Sequence, residues 1–280
     1  MSERFCSTGE PPLFYTVRSS PRARRVTLRV VPGRGLVVSV PRRFARRDVP
    51  AVVEAHRAWA ESALAELARR TPEACRRWPP ETLELAAVGR RVAVRLCPPD
   101  PGATAPDRSL RGPDEGKREE GRRAGTRRPR AGGARWVDGL TLEIAASADD
   151  RVGVATAAAA ALRAEGRRVL VPRLEALAAR HALDYARVAV RGQRSVWGSC
   201  SSRGTVSLNY KLLFLSPALV DYVLLHELVH TRHLDHSAAF WRLLESVSPD
   251  ARALDRELRS AGDRVPPWLE LARGGGAGAG

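Results

Sequence analysis

An α+β chain is predicted by three features of the sequence: short alternating apolar runs near the amino terminus, an apolar histidine-bearing helical stretch near the carboxy terminus, and an arginine-rich stretch between them with almost no large apolar side chain. The expected architecture is an N-terminal antiparallel β region followed by a core of helices and strands, with a disordered insertion.

Leu13 to Val17, Arg25 to Val31 and Gly35 to Val40 alternate with period two, and Pro32-Gly33-Arg34-Gly35 supplies a turn between the last two. From about Val49 to Arg70, apolar residues at Val52, Val53, Ala60, Leu64, Leu67 and Ala68 predict one amphipathic helix. Glu84 to Leu96 and Trp136 to Ala145 return to strand pattern. Between them Pro98 to Arg135 cannot bury enough surface to offset its ordering entropy, which predicts a disordered insertion within one sheet. Asp149 to Leu183 reads as two helical segments divided near Gly166 and Pro172, leading to a strand at Val188 to Val190, and Thr205 to Leu213 reads as a further strand. The expected organisation is a β-rich region with one helix over 12–97, the insertion over 98–135, a metal-binding catalytic domain over 136–262 and a flexible tail over 263–280.

The formal charge of +16 and a pI near 11.1 admit an anionic partner, nucleic acid included, although only Lys117 and Lys211 are lysine among 47 basic residues, which points to a coding bias toward arginine. No apolar run approaches the roughly 18 residues of a membrane span, and no leader pattern opens the chain, so a cytoplasmic location is expected. Cys6, Cys75, Cys97 and Cys200 are widely spaced, without CxxC pairing, and read as reduced thiols.

Four of the six histidines fall between residues 226 and 236. His226-Glu227-Leu228-Val229-His230 is an HExxH pattern, in which imidazoles at i and i+4 share a helical face and can close on one ion. Glu227 is rotated by about 100° from His226, outside the ligand face but close enough to move a proton. A catalytic site needs a third ligand and an open position. His233 lies on the same face but roughly 10 Å along the axis from His226. His236 returns to the site if the helix ends near Leu234 and the chain turns back, and it is the favoured ligand. Ser216-Pro217 reads as an N-cap with proline at the first helical position, and Leu219, Val220, Val223, Leu224, Leu228 and Val229 make the metal helix apolar enough to run through a core. The preceding Trp197-Gly198-Ser199-Cys200 stretch and the strand after it are expected beside that helix, where a strand edge offers backbone groups to an extended substrate. Cys200 reads as a small buried strand residue.

Three stretches resemble the YgjP-like metallopeptidase family of zincins, with SprT-like proteases as more distant relatives: Arg24-Arg25-Val26-Thr27-Leu28-Arg29-Val30; Trp197-Gly198-Ser199-Cys200-Ser201 followed by Ser207-Leu208-Asn209; and the HExxH block continuing to His236-Ser237-Ala238-Ala239-Phe240-Trp241. The resemblance implies a zincin-like metallopeptidase core, zinc as cofactor, His226, His230 and His236 as its ligands, Glu227 as the catalytic carboxylate, and the Trp197 block beside the cleft. The family commonly has arginine immediately before that tryptophan, whereas this chain has Val196; Arg194 lies two residues earlier on the same strand face. Arg194, Trp197, Tyr210 and His233 are the candidate substrate-binding residues, and Tyr210, His233 and Arg232 are candidates for steadying an oxyanion. Asp235 is a candidate for orienting a ligand imidazole. The leading expectation is a zinc-dependent peptidase acting on polypeptide. One alternative, which the resemblance also suggests, is a metal-dependent phosphohydrolase of nucleoside triphosphates; another is a nucleic-acid-associated binding module with a structural metal.

Overall fold

The computed structural model describes residues 3–7, 12–21, 23–31, 35–73, 77–98, 129–193 and 196–272. The first sheet has the order β1-β2-β4-β3, built from β1 (Glu3–Cys6), β2 (Phe14–Ser20), β3 (Thr27–Val31) and β4 (Gly35–Pro41). β3 and β4 form the expected hairpin, but β4 also pairs with β2 in parallel, Tyr15 opposite Leu36, so the N-terminal region is not wholly antiparallel. The reason is topological: the chain crosses over after β2, and β4 inserts between β2 and β3. One face of this sheet packs Tyr15, Val17, Leu36, Val38 and Val40 against two helices, α1 (Val49–Ala55) and α2 (Arg57–Arg70). The single helix expected here is broken at His56, whose φ of −116° and ψ of 18° leave the helical range.

The second sheet has the order β5-β6-β8-β7, from β5 (Thr82–Leu85), β6 (Arg90–Cys97), β7 (Ala134–Val137) and β8 (Thr141–Ala145). β6 and β8 are parallel neighbours, with Val94 opposite Leu142, so the segment between them interrupts one sheet. Most of the expected insertion lies outside the described residues; of its last residues, Ala134 and Arg135 belong to β7 because they pair with Ile144 and Glu143 of β8. The expected region 12–97 differs from the packing. Leu83, Leu85, Val92 and Val94 share a core with Leu142, Ile144 and everything that follows, whereas the first sheet has a separate core ending at Ala60.

Across the second sheet lies α3 (Arg151–His181), a 31-residue helix. Asp150 caps it by accepting from the Gly153 amide at 2.8 Å. The division expected at Gly166 and Pro172 does not occur. Gly166 sits where the helix crosses the third sheet, and a Cβ there would come within 3.2 Å of Val190 and 3.4 Å of Tyr210, so glycine serves close packing rather than termination. Leu170 and Leu174, both fully buried, flank Pro172 and hold the helix through it.

The third sheet has the order β10-β11-β9, from β9 (Arg187–Arg191), β10 (Gly198–Cys200) and β11 (Thr205–Asn209); β9 and β11 are parallel, β10 and β11 antiparallel, and β10 is an edge among the described residues. The strand predicted to reach Leu213 ends at Asn209 and gives way to a 3-10 turn, Tyr210–Phe214, whose five side chains are all buried. Three helices complete the core: α4 (Pro217–Val229), α5 (Ala238–Val247) and α6 (Ala251–Leu258). The tail expected to be flexible from 263 is ordered as far as it is described. Val265, Trp268 and Leu269 are buried in the main core, Pro267–Leu271 forms a 3-10 turn packed on α3, and Glu270 pairs with Lys211; residues 273–280 lie outside the described residues. Buried apolar side chains outweigh the absence of helical periodicity there. Among the described residues no helix is long and apolar enough to cross a membrane.

Candidate metal centre

The helix α4, which carries the HExxH pattern, is apolar almost all round: Leu219, Val220, Tyr222, Val223, Leu224, Leu225, Leu228 and Val229 are all buried, which fixes the helix between β10, α3, α5 and α6. Ser216 stands at its N-cap and Pro217 begins it, as the sequence predicts, though Ser216 caps without a side-chain hydrogen bond. The helix ends at Val229, earlier than expected. His230 keeps helical φ and ψ of −63° and −15°, and the amides of Arg232 and His233 then both donate to the Val229 carbonyl at 3.0 Å, which turns the chain back.

That turn decides the fate of the three candidate histidines. His226 and His230 bring Nε2 atoms within 3.2 Å of one another, and His236 returns to place its Nε2 3.1 Å from that of His226. One nitrogen from each lies within 4.8 Å of the other two. Tetrahedral zinc with bonds of 2.0–2.1 Å holds its nitrogens about 3.3 Å apart, so this donor set fits the ion. Phe240, fully buried at the start of α5, forms the floor: its ring centroid is 5.0, 4.6 and 4.8 Å from those of His226, His230 and His236. His233 does not join them. Its carbonyl accepts from His230 Nδ1 at 2.9 Å, which fixes that tautomer and leaves Nε2 with its lone pair.

The orienting groups differ from those the sequence suggested. Asp235 accepts from the Ser237 amide at 3.2 Å, holding the turn before α5. His226 Nδ1 instead faces the Tyr222 hydroxyl at 3.5 Å, which donates to Asp255 Oδ1 at 3.2 Å, and Arg259 donates to the other oxygen of Asp255 at 2.9 Å. Tyr222 precedes His226 by one helical turn, a spacing open to sequence reading. Asp255 comes from α6 and carries no local signal. Burial, then the neighbouring His230 and His236, pushes the His226 imidazole down to about 4, and burial also lowers His230, so both are neutral donors at physiological pH.

Glu227 is 6% exposed, and its Oε2 has no hydrogen-bond partner among the described residues. Burial pushes its carboxyl up to about 7. Its other oxygen lies where only glycine can face it: a Cβ on Gly198 would stand 2.6 Å from Glu227 Oε1. This contact accounts for glycine in the Trp197-Gly198-Ser199-Cys200 stretch. Asn209, at the end of β11, donates to the carbonyls of Gln193 and Val196 at 2.9 and 2.8 Å and so anchors the segment leading into β10. Cys200 is partly buried, and burial followed by the charge of Glu227 raises its thiol, which remains protonated.

Among the candidate substrate-binding residues, Trp197 lines a cleft of about 210 Å³ with Val31, Val196, Asn209 and Leu258. Arg194 lies outside the described residues. Tyr210 is 2% exposed, packed against Gly166 and Gly192, and its hydroxyl is raised by burial; its place is in the core under α3. Arg232 donates to the Ala182 carbonyl at 2.7 Å, closing the end of α3.

Comparison with known proteins bears on the same stretch. No curated protein matches. Two solved structures share small parts of this chain. The metallopeptidase zymogen abylysin of Pyrococcus abyssi is 26% identical over 32% of this chain and 92% of its own, with a TM-score of 0.30. The metallopeptidase zymogen jannalysin of Methanocaldococcus jannaschii is 15% identical over 32% of this chain and 93% of its own, with a TM-score of 0.29. The family model for the YgjP-like metallopeptidase domain matches residues 131–261, which takes in α3, the third sheet, the three histidines and Glu227. That stretch, just under half of the chain, is thus similar to the YgjP-like metallopeptidase domain.

Proposed function

We propose that this protein is a zinc-dependent metallopeptidase in which His226, His230 and His236 hold the ion and Glu227 carries the proton. The observation that supports it best is the environment of Glu227: a buried carboxylate without a compensating partner, one residue from a ligand histidine and cradled by a glycine. A purely structural metal site has no use for such a group.

Zinc in this site would supply Lewis acidity, bring the pKa of a water toward about 7, and counteract the burial that raises Glu227. Glu227 accepts a proton at its carboxylate and returns it to the leaving amine. His233 and the Tyr222–Asp255 pair hold the imidazoles of His230 and His226 in their working tautomers. The free edge of β10 offers backbone groups to an extended polypeptide passing Glu227. In this reading the catalytic unit is 136–262 together with β5, β6 and the segment carrying Val265, Trp268 and Leu269, all of which share its core.

The test is metal content and turnover on an unfolded polypeptide, with a nucleoside triphosphate in parallel and chelator controls for both. The expected result is one zinc per chain, markedly weakened by His236→Ala. Glu227→Gln should keep its zinc while turnover of the polypeptide falls roughly 10²–10⁴-fold. A wild-type chain that binds no transition metal, or a Glu227→Gln variant that cleaves normally, would overturn the proposal. Cleavage of the triphosphate alone would assign the same centre to phosphoryl chemistry.

A further inference from the structure

The exposed face of the first sheet has no part in the mechanism above, yet it leads to the cleft. Side chains opposite one another across paired strands share a face. Arg18 and Thr27 both oppose Ser39, and Arg29 opposes Val37, so these residues stand on the face away from the Tyr15–Val38 core. With Arg24 and Arg25 they line an open groove of about 670 Å³. All four arginines are exposed, and among the described residues none of them is paired with a carboxylate. Arg18 donates through Nε to Ser39 Oγ at 2.9 Å, which leaves its terminal nitrogens facing outward. The four guanidinium groups together form an array of exposed donors, with the buried Ser39 hydroxyl holding Arg18 in place beneath them.

Val31 continues this face. It follows Arg29 by two residues, about 7 Å along β3, and it forms one wall of the cleft that Trp197 and Val196 also line. Trp197 in turn precedes Gly198, the residue against Glu227. The groove and this cleft thus adjoin one another along β3, and the cleft reaches β10 at Trp197.

We infer that this face is an anion-binding track that selects polypeptides carrying an acidic segment, held while the bond to be cut lies at Glu227. The inference rests on the peptidase reading and adds the substrate class to it. Polypeptide is favoured over nucleic acid because the groove lining offers no aromatic ring for a base to stack on.

The experiment measures binding by fluorescence anisotropy on the full Glu227→Gln chain, zinc-loaded, so that no peptide is cut. The probes are a labelled peptide with an apolar residue followed by a run of Asp and Glu, the same peptide with Asn and Gln, and a single-stranded DNA of equal charge. Arg24→Glu, Arg25→Glu and Arg29→Glu are combined in one variant. Arg167→Glu, Arg180→Glu and Arg256→Glu, all at exposed positions, make an equal charge change elsewhere. Circular dichroism and zinc content verify both folds.

The acidic peptide should bind at least about tenfold more weakly to the groove variant and within about twofold of the parent to the control variant, and the Asn/Gln peptide should bind weakly to both. Equal loss in the two variants, or no preference for the acidic peptide, overturns the proposal. Loss of DNA binding through the groove with the acidic peptide unaffected also overturns it and assigns the face to nucleic acid. Failure of the wild type to hydrolyse any polypeptide would count against the peptidase reading alone, since binding is scored without turnover.

Discussion

Glu165 and Glu227 are each 6% exposed, and the surroundings of the two carboxylates differ in every other respect. Glu165, midway along α3, receives Arg90 on one oxygen and Arg168 on both, at 2.7 and 2.9 Å for the latter. Glu227, on the metal helix, faces a glycine and has an oxygen with no partner among the described residues. A buried carboxylate held between guanidinium groups is a means of joining elements, here α3 to β6. One left without a counter-charge pays its desolvation in full and persists only because the surrounding core is rigid enough to keep it there. Burial alone therefore does not single out Glu227; burial without a counter-charge does, and it is this that supports the proposed role.

Removing the compensated carboxylate should have the largest effect on stability. Glu165→Ala leaves Arg90 partly buried without its partner, and denaturant unfolding should show a loss of roughly 2 to 4 kcal/mol with zinc content per folded chain unchanged. A loss below about 1 kcal/mol would mean that the pair contributes no more than an exposed salt bridge, and the contrast with Glu227 would weaken.

The uncompensated carboxylate should respond in the opposite direction and depend on pH. Its folded-state pKa is raised from 4.5 to about 7, so its contribution to stability is fully present below about 4.5 and is lost as pH rises through 7. Glu227→Gln cannot ionise, and the metal-free variant should exceed the metal-free parent by roughly 2 to 3 kcal/mol at pH 8 while matching it near pH 4. Paired unfolding curves across that range provide the check; a pH-independent difference would show that Glu227 is not desolvated as described. Gly198→Ala sharpens the comparison most finely. The added methyl meets Glu227 Oε1, and the expected cost is about 1 to 2 kcal/mol together with a fall in turnover; combining it with Glu227→Ala, which removes the clashing carboxylate, should restore most of the stability.

Much of this was legible along the chain. The pair His226 and His230 follows from helical spacing, and the choice of His236 from the need for a third ligand beyond a turn; Phe240 and Trp241 were visible only as part of the stretch that resembles the family. What spacing could not show was how early α4 ends, because the double hydrogen bond to the Val229 carbonyl depends on the loop after it. Pro172 and Gly166 are strong local breakers, yet the core around Leu170 and Leu174 overrides them. The last residues before 273 look like a tail because Pro266 and Pro267 interrupt any period, and only contact with α3 reveals Trp268 and Leu269 as core.

The sequence by itself determined the chemistry on offer: which donors exist, that two of them stand four positions apart, and which carboxylate stands beside them. These are local matters, governed by a repeat of 3.6 residues per turn. Tertiary structure alone decided which carboxylate goes without a counter-charge, that Gly198 faces it, that Asp255 reaches His226 through Tyr222, and that Val31 of β3 lines a cleft with Trp197. Each of these joins residues far apart in the chain, and desolvation and steric exclusion act through space, where sequence distance has no meaning.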